Sequence, residues 1–498
     1  MPTPHESLRI LNPQAPTSAP RPGPCQTVIF GGSGDLTRRK LLPAFRHLHQ
    51  DGLLPERFHI IAFARSSLDQ QAYREMIAAD GDEDGSFIDL LDYHAGDYND
   101  PQAYQALARH LAEHNAAGEL GGNRLFYLAT PPELYPVILR HLHASGLSRP
   151  DDGSWARVII EKPYGHDLDS ARALNAVVAD CLAEDQVYRI DHYLGKETVQ
   201  NILVLRFANT IFEPLWNRHH IDHIQITAAE TLGVGSRAGF YDRAGVVRDF
   251  IQNHLLEVMA LISMETPVAF TADPIRDEKV KVLRALRPVT AEMAHSALVA
   301  GQYDGYGQEP GVAAGSRTPT YAALRCHVDN WRWQGVPFYL RAGKQLAARV
   351  TEVAIHFKRI PFCVFGREEL CQNLQPNVLT LRLQPDEGIA LRFGCKTPGE
   401  ALQVSDVLMD FRYQQAFGRP SPDAYQRLLL DAMRGDATLF ARADAVDHAW
   451  RHITPLLQAI EDDPSFPLAS YQPGSAGPAE AAALPAATGH RWDALGGG

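Results

Sequence analysis

The sequence predicts an α/β Rossmann-like dinucleotide-binding domain followed by an α+β domain with a large, mainly antiparallel sheet. Three observations lead there. A glycine-rich turn, Gly31-Gly32-Ser33-Gly34, follows directly on the buried run Thr27-Val28-Ile29-Phe30. From residue 26 to about 191, short apolar runs alternate with helical spacing, as in a doubly wound parallel sheet. Beyond about residue 202, period-two alternation takes over. A chain of 498 residues has room for two or three domains. The expected division is a flexible tail over 1–24, a dinucleotide-binding domain over 25–200, and a substrate and oligomerisation domain over 201–498.

In chain order, 27–30, 58–64, 125–129 and 158–160 read as strands buried on both faces, because each is an apolar run without alternation. Helical spacing falls at 70–79 and 101–114. Pro43 predicts a late start for the helix after the glycine turn. In the second half Ile224, Ile226 and Ala228 alternate with His223, Gln225 and Thr227. Val353/Ile355/Phe357, Leu379/Leu381/Leu383 and Leu391/Phe393/Cys395 repeat the pattern, which predicts an antiparallel sheet with one wetter face. Helices are expected at 246–264 and 423–434. The Gly/Ala/Pro-rich end, 473–498, reads by composition as loose.

Composition removes several classes of function. A net charge of −12 has the wrong sign for a protein held on nucleic acid or anionic lipid. No apolar stretch approaches the ~18 residues needed to cross a bilayer, and the Pro/Ser/Thr-rich first 24 residues lack the apolar core of a secretory signal. The cytoplasm is therefore expected. Six cysteines without CxxC spacing indicate neither a disulfide framework nor a cysteine zinc site. His47/His49, His141/His143 and His219/His220 lack partners at ligand spacing, so no metal is expected.

Five segments carry chemistry. Glycines 31, 32 and 34, with Ser33, Asp35 and Leu36, would let backbone N–H groups approach a pyrophosphate. The second strand ends in Arg65 rather than an acid, and Arg38-Arg39-Lys40 lies beside the glycine turn. A guanidinium there suits a 2′-phosphate, so the residues favour NADP, with NAD the weaker alternative. The strand at 158–160 delivers Glu161-Lys162-Pro163 to a carboxyl end, where open α/β sheets bind ligands. At the junction of the two halves RIDHYLGKE, residues 189–197, packs an acid, a histidine, a phenol and an ammonium together. On a helical turn His192 and Lys196 would share a face, ready for a phosphate monoester. Finally DFIQNH, 249–254, sets a histidine in an apolar helix, where an acid from another segment would make it an oriented general base.

Together with RAGK at 341–344, these blocks resemble the glucose-6-phosphate dehydrogenase family over about residues 26–492. The resemblance implies oxidation of glucose 6-phosphate at C1 to 6-phosphogluconolactone with hydride transfer to NADP⁺, the first step of the oxidative pentose phosphate pathway. By position it implies His254 as base and Asp191 as its orienting acid. His192, Tyr193 and Lys196, joined by Lys344 and Arg349, match the phosphate grip. Glu230 and Asp249 match the acids on the sugar hydroxyls, Gln384 also falls at the sugar site, and Lys162 lies between sugar and nicotinamide. On the cofactor side it implies the turn 31–38, Arg65, Tyr127 and Lys162. Thr37-Arg38 departs from the family's commoner Ala-Lys. The family habit is a homodimer or homotetramer through the large sheet, and the closing segment at 471–478 implies an ordered end. Rival readings are an oxidoreductase acting on unphosphorylated sugar and a non-catalytic NADP-binding sensor.

Overall fold

Six parallel strands form the first sheet: β1 (Cys25–Phe30), β2 (Phe58–Ala64), β3 (Leu91–Ala95), β4 (Arg124–Leu128), β5 (Ala156–Ile160) and β6 (Val187–Arg189), in the order β3-β2-β1-β4-β5-β6. The structure is a computed structural model and describes residues 20–496 apart from 81–84, 119, 366–373, 401 and 419–421. The expected tail therefore lies, over 1–19, outside the described residues. Within 20–24, Pro22 is buried and Arg434 donates to the Pro20 carbonyl (3.1 Å).

Helices cover both faces of this sheet, so every residue of β1 is buried. They include Gln70–Ala79, Pro101–Gly118, Tyr135–Ala144 and Leu168–Cys181. Asp69 caps the first through Ala72 N–H, and Asp167 and Ser170 form a capping box on the last. Strand order reverses between β1 and β4, which opens a crevice at their carboxyl ends. The late helix start expected from Pro43 does not occur. Leu36 is already helical (φ −60°, ψ −46°), residues 37–41 form a wide π-type turn, and Leu42–Gln50 continues as α-helix with Pro43 in its first turn. The wide turn takes up the missing proline N–H.

The second sheet has nine strands, β7 (Ile221–Ala229), β8 (Leu298–Tyr303), β9 (Tyr321–His327), β10 (Pro337–Gly343), β11 (Val350–Phe357), β12 (Val378–Gln384), β13 (Gly388–Lys396), β14 (Val404–Arg412) and β15 (Leu468–Tyr471). Their order is β14-β13-β12-β11-β7-β10-β9-β8-β15. It is mostly antiparallel, but β7/β10 and β8/β15 pair parallel.

The wetter face is corrected. Over β7, β10 and β11 nearly every residue is buried, because the chain end covers the polar side. Gln225 donates to the Arg491 carbonyl (2.8 Å), Arg341 to the Asp493 carbonyl (2.7 Å), and His356 meets Asp493 Oδ2 at 2.9 Å. Trp492 lies under the Arg341 guanidinium (4.6 Å). The compositionally loose end is thus ordered as far as residue 496.

Among the described residues no helix is long and apolar enough to cross a membrane. Cys25, Cys181, Cys326 and Cys395 are free thiols, whereas Cys363 is disulfide-bonded.

Candidate active site

Neighbouring strands β5 and β6 end side by side, so Glu161-Lys162 and Asp191-His192-Tyr193 emerge together at the carboxyl edge of the first sheet. Across them lies the 247–255 segment of the second half, wound as a π-helix. That winding matters. In an α-helix Asp249 and His254 would stand about 140° apart around the axis at ~100° per residue, whereas an i→i+5 turn stacks them on one face. Lys162 Nζ reaches both: 2.8 Å to His254 Nε2 and 3.0 Å to Asp249 Oδ1. On the other side of the ring, His254 Nδ1 meets Asp191 Oδ1 at 2.6 Å. With Lys162 donating to Nε2, the proton belongs on Nδ1, donated to Asp191.

Both partners are almost wholly enclosed, His254 1% and Asp191 2% exposed. Burial, then the Lys162 ammonium, pushes the His254 imidazole well below the ordinary histidine range. Burial pushes the Asp191 carboxyl up, and its Oδ2 makes no hydrogen bond. Burial also pushes Asp249 up, but the Lys162 and Lys344 ammonium groups outweigh it and hold that carboxyl low. The outcome is a neutral imidazole oriented by Asp191, beside an Asp249 carboxylate that two ammonium groups keep ionised.

Residues 191–196 depart from expectation. They form successive turns rather than a helical face, with Asp191 Oδ1 accepting the Tyr193 N–H (2.8 Å) and Leu194 N bonded to the Asp191 carbonyl (3.0 Å). The side chain of Asp191 competes with helix formation here, and Lys196 becomes the residue that precedes the Glu197–Phe207 helix. His192 packs edge-on to His254 (4.7 Å between ring centres), and Tyr193 stacks on it (4.1 Å). Lys196 Nζ stands 4.1 Å over the Tyr193 ring and bonds to Gln384 Oε1. Gln384 Nε2 in turn donates to Thr351 Oγ1 (2.9 Å) and Tyr193 Oη (3.2 Å).

From the end of β10, Lys344 pairs with Glu230 at the end of β7 (2.5 Å). Arg349 is exposed and close enough to Lys196 to repel its charge. Lys162, Asp191, His192, Tyr193, Lys196, Glu230, Asp249, His254, Lys344 and Gln384 therefore form one connected cluster. Glu257, three residues beyond His254, is turned to a buried pair with Lys279 (2.5 Å).

On the dinucleotide side the glycine turn is built for close backbone approach. Gly31 and Gly32 N–H both donate to the Phe63 carbonyl. A Cβ on Gly32 would stand 2.5 Å from Ala62 Cβ, and one on Gly31, at φ +88°, 2.5 Å from the Ala129 carbonyl oxygen. Such a cradle fits a pyrophosphate. Arg65 is exposed, 5.6 Å over the Tyr98 ring, and Ser33 Oγ lies 3.2 Å from Ser66 Oγ beside it. Arg38 instead makes a bidentate pair with Asp80 (2.6 and 2.7 Å), and Arg39 pairs with Asp35 (2.7 Å). Tyr127 is fully buried and donates to Glu161 Oε1 (2.5 Å), so its hydroxyl is committed inside the sheet.

Comparison with known proteins bears on this site. The family model described as glucose-6-phosphate dehydrogenase, NAD binding domain, matches residues 28–201, and the one for the C-terminal domain matches 203–493. The chain belongs to the glucose-6-phosphate dehydrogenase family.

It is 48% identical over 486 residues to the glucose-6-phosphate 1-dehydrogenase of Aggregatibacter actinomycetemcomitans, covering 94% of this chain and 97% of the relative. It is 44% identical over 516 residues to that of Chlamydia pneumoniae, covering 98% and 99%. A solved glucose-6-phosphate dehydrogenase in complex with glucose 6-phosphate superposes with a TM-score of 0.87 at 36% identity, over 96% of this chain and 100% of that one. As a member of the glucose-6-phosphate dehydrogenase family the protein is an oxidoreductase with a nicotinamide dinucleotide domain. Sequence reasoning missed Thr351, wholly buried between Tyr193 and Gln384, and Tyr425, whose ring faces His192 in a parallel stack (6.3 Å). Neither sits in a motif, so only the fold brings them in.

Proposed function

We propose that the chain oxidises glucose 6-phosphate at C1 to 6-phosphogluconolactone, with NADP⁺ as the preferred acceptor and NAD⁺ the weaker one. The observation that carries the reading is the neutral His254 imidazole, held by Asp191 through Nδ1 with its Nε2 lone pair facing Lys162. As the C1 hydroxyl proton passes to Nε2, Asp191 stabilises the imidazolium that forms and C1 becomes a lactone carbonyl. The dinucleotide, when bound, supplies the hydride acceptor. Lys162, within reach of His254 Nε2 and Asp249 Oδ1, orients the C1 end of the sugar toward the nicotinamide.

Lys196, His192 and Tyr193 grip the phosphate, with Arg349 closing the mouth, and that binding energy positions C1. Glu230 and Asp249, each paired with a lysine, accept from sugar hydroxyls, and Lys344 and Gln384 complete the wall. The turn 31–36 holds the pyrophosphate and Arg65 the 2′-phosphate; with Arg38 committed to Asp80, Arg65 is the arginine of this group free to do so. Tyr127 acts through Glu161. A homodimer or homotetramer and a cytoplasmic location belong to the same reading. The test is absorbance of reduced nicotinamide with purified protein, pairing glucose 6-phosphate or glucose with NADP⁺ or NAD⁺. Turnover of the phosphorylated sugar alone, faster with NADP⁺, is expected. Equal rates with glucose would remove the phosphate grip, and binding of NADP⁺ without any turnover would leave a sensor.

A further inference from the structure

We propose that His59, Asp92, His110 and His114 form a binding site for a zinc-type divalent transition-metal ion, at the end of the first sheet away from the catalytic chemistry. His59 is the second residue of β2, Asp92 the second of β3, and His110 and His114 lie one turn apart on the Pro101–Gly118 helix. Side-chain alternation turns His59, with Ile61 and Phe63, toward that helix, as the Phe63–Tyr104 ring contact (5.8 Å) shows. Asp92 Oδ2 is the hub. His114 Nε2 stands 2.7 Å from it, His59 Nε2 2.9 Å and His110 Nε2 3.5 Å.

The donor atoms of His59, Asp92 and His114 all lie within 4.8 Å of one another. A four-coordinate ion with bonds of about 2.0–2.1 Å places its donors about 3.3 Å apart, and the separations of His114, His59 and His110 from Asp92 Oδ2, 2.7, 2.9 and 3.5 Å, bracket that value. Three imidazoles crowd this one oxygen: the His59 and His114 rings stack at 4.4 Å, and His110 lies 4.6 Å from His114. His110 Nε2 is shielded from solvent and makes no hydrogen bond. Its nearest polar partner is Asp92 Oδ2 at 3.5 Å, an oxygen that His59 and His114 already share, and a cation would engage the nitrogen more fully. Arg74 Nη2 stands 3.8 Å from the other oxygen, Oδ1, which leaves Oδ2 to the histidines.

Three ring nitrogens and one carboxylate suit zinc and its first-row neighbours, whereas calcium and magnesium take oxygen sets. His59 stands six residues before Arg65, about 20 Å along the strand from the dinucleotide end. An ion here would tie the helix to β2 and β3. Among the described residues the other such cluster outside the active site, Asp222, His223 and His490, differs: His223 Nε2 meets Gln225 (3.2 Å) and His490 Nδ1 meets Tyr339 Oη (2.8 Å). Its nitrogens are satisfied within the protein.

The test titrates cobalt(II) into tag-free, chelator-stripped full-length protein and reads visible absorption. One equivalent with the intense spectrum of a four-coordinate ion, displaced by zinc, is expected. His110→Ala and His114→Ala should each weaken cobalt affinity by roughly a hundredfold or more while circular dichroism stays native, and His490→Ala should leave it unchanged. Absence of a four-coordinate spectrum overturns the proposal. So does unchanged affinity in both helix variants, or loss of the signal in His490→Ala.

Discussion

His254 is held at both nitrogens, and the consequences can be measured separately. His254→Asn removes the proton acceptor while approximating the side chain's shape, so kcat should fall by roughly a hundredfold or more with KM little changed. A near-normal kcat would take His254 out of the base role. The pH dependence has a definite sign. The base acts as the neutral form, and burial with the Lys162 ammonium holds it neutral to lower pH than an ordinary histidine. The acid limb of kcat/KM should therefore lie below the usual histidine value of about 6.5, and Lys162→Met should move it upward. Lys196 has the opposite problem. Burial lowers its ammonium to about 8, against the pull of Glu387 and Asp191. It is charged below that pH and neutral above, so KM for the sugar phosphate should rise as pH passes 8. Lys196→Arg should flatten this rise, because a guanidinium stays charged. A flat KM in the parent protein would place the phosphate elsewhere.

Two turns shape the site. Gly32 packs directly on β2, and a methyl group there would have to displace the Ala62 backbone, with Cα at 2.6 Å. Gly32→Ala should cost about 1–3 kcal/mol in urea unfolding and raise KM for the dinucleotide, since the turn and β2 must separate. Unchanged KM would put the pyrophosphate away from this turn. After the same strand, Arg65→Asp should swing preference toward NAD⁺, by adding an acceptor for the ribose hydroxyl and repelling the 2′-phosphate. A constant cofactor ratio would move that selection to Arg39 or beyond. The π-wound 247–255 segment makes the same point without glycine: winding alone brings Asp249 and His254 to one lysine.

At the level of the molecule, the outer edge strand of the large sheet, β14, leaves apolar side chains exposed among its acidic ones. Leu408 and Met409 of β14 are 51% and 61% exposed, and the nearby Phe417 is also exposed. An open strand edge of that kind invites pairing with a second chain. If the homodimer or homotetramer of the proposed reading forms through this edge, Leu408→Asp with Met409→Asp should lower the mass measured by light scattering to that of a monomer. An unchanged assembly would send the interface to another face. The polar face of the central strands β7, β10 and β11 is closed within the chain, where the last residues supply hydrogen bonds to Gln225, Arg341 and His356.

Local pattern was enough to read β1, β2, β4 and β5, though not β3 or the three-residue β6, together with the glycine turn, Arg65 and the RIDHYLGKE and DFIQNH blocks, because a long buried parallel strand and a phosphate-binding turn each leave a local signature of residue types. It also carried His254 and Asp191 as members of recognisable segments. Tertiary structure decided what depends on distant partners. Asp191 is 63 residues from His254, and only the meeting of β6 with the 247–255 segment makes them a pair. Thr351 entered the site, Arg38 turned to Asp80, and Tyr127 was sealed against Glu161, none of which any local pattern encodes. His59, Asp92, His110 and His114 come from three elements and meet only when the sheet and its helix pack. The polar face of β7 looked solvated because alternation reports polarity and not what covers it. A polar row is equally stable facing water or facing backbone groups that satisfy it, and the final segment settled that choice by docking.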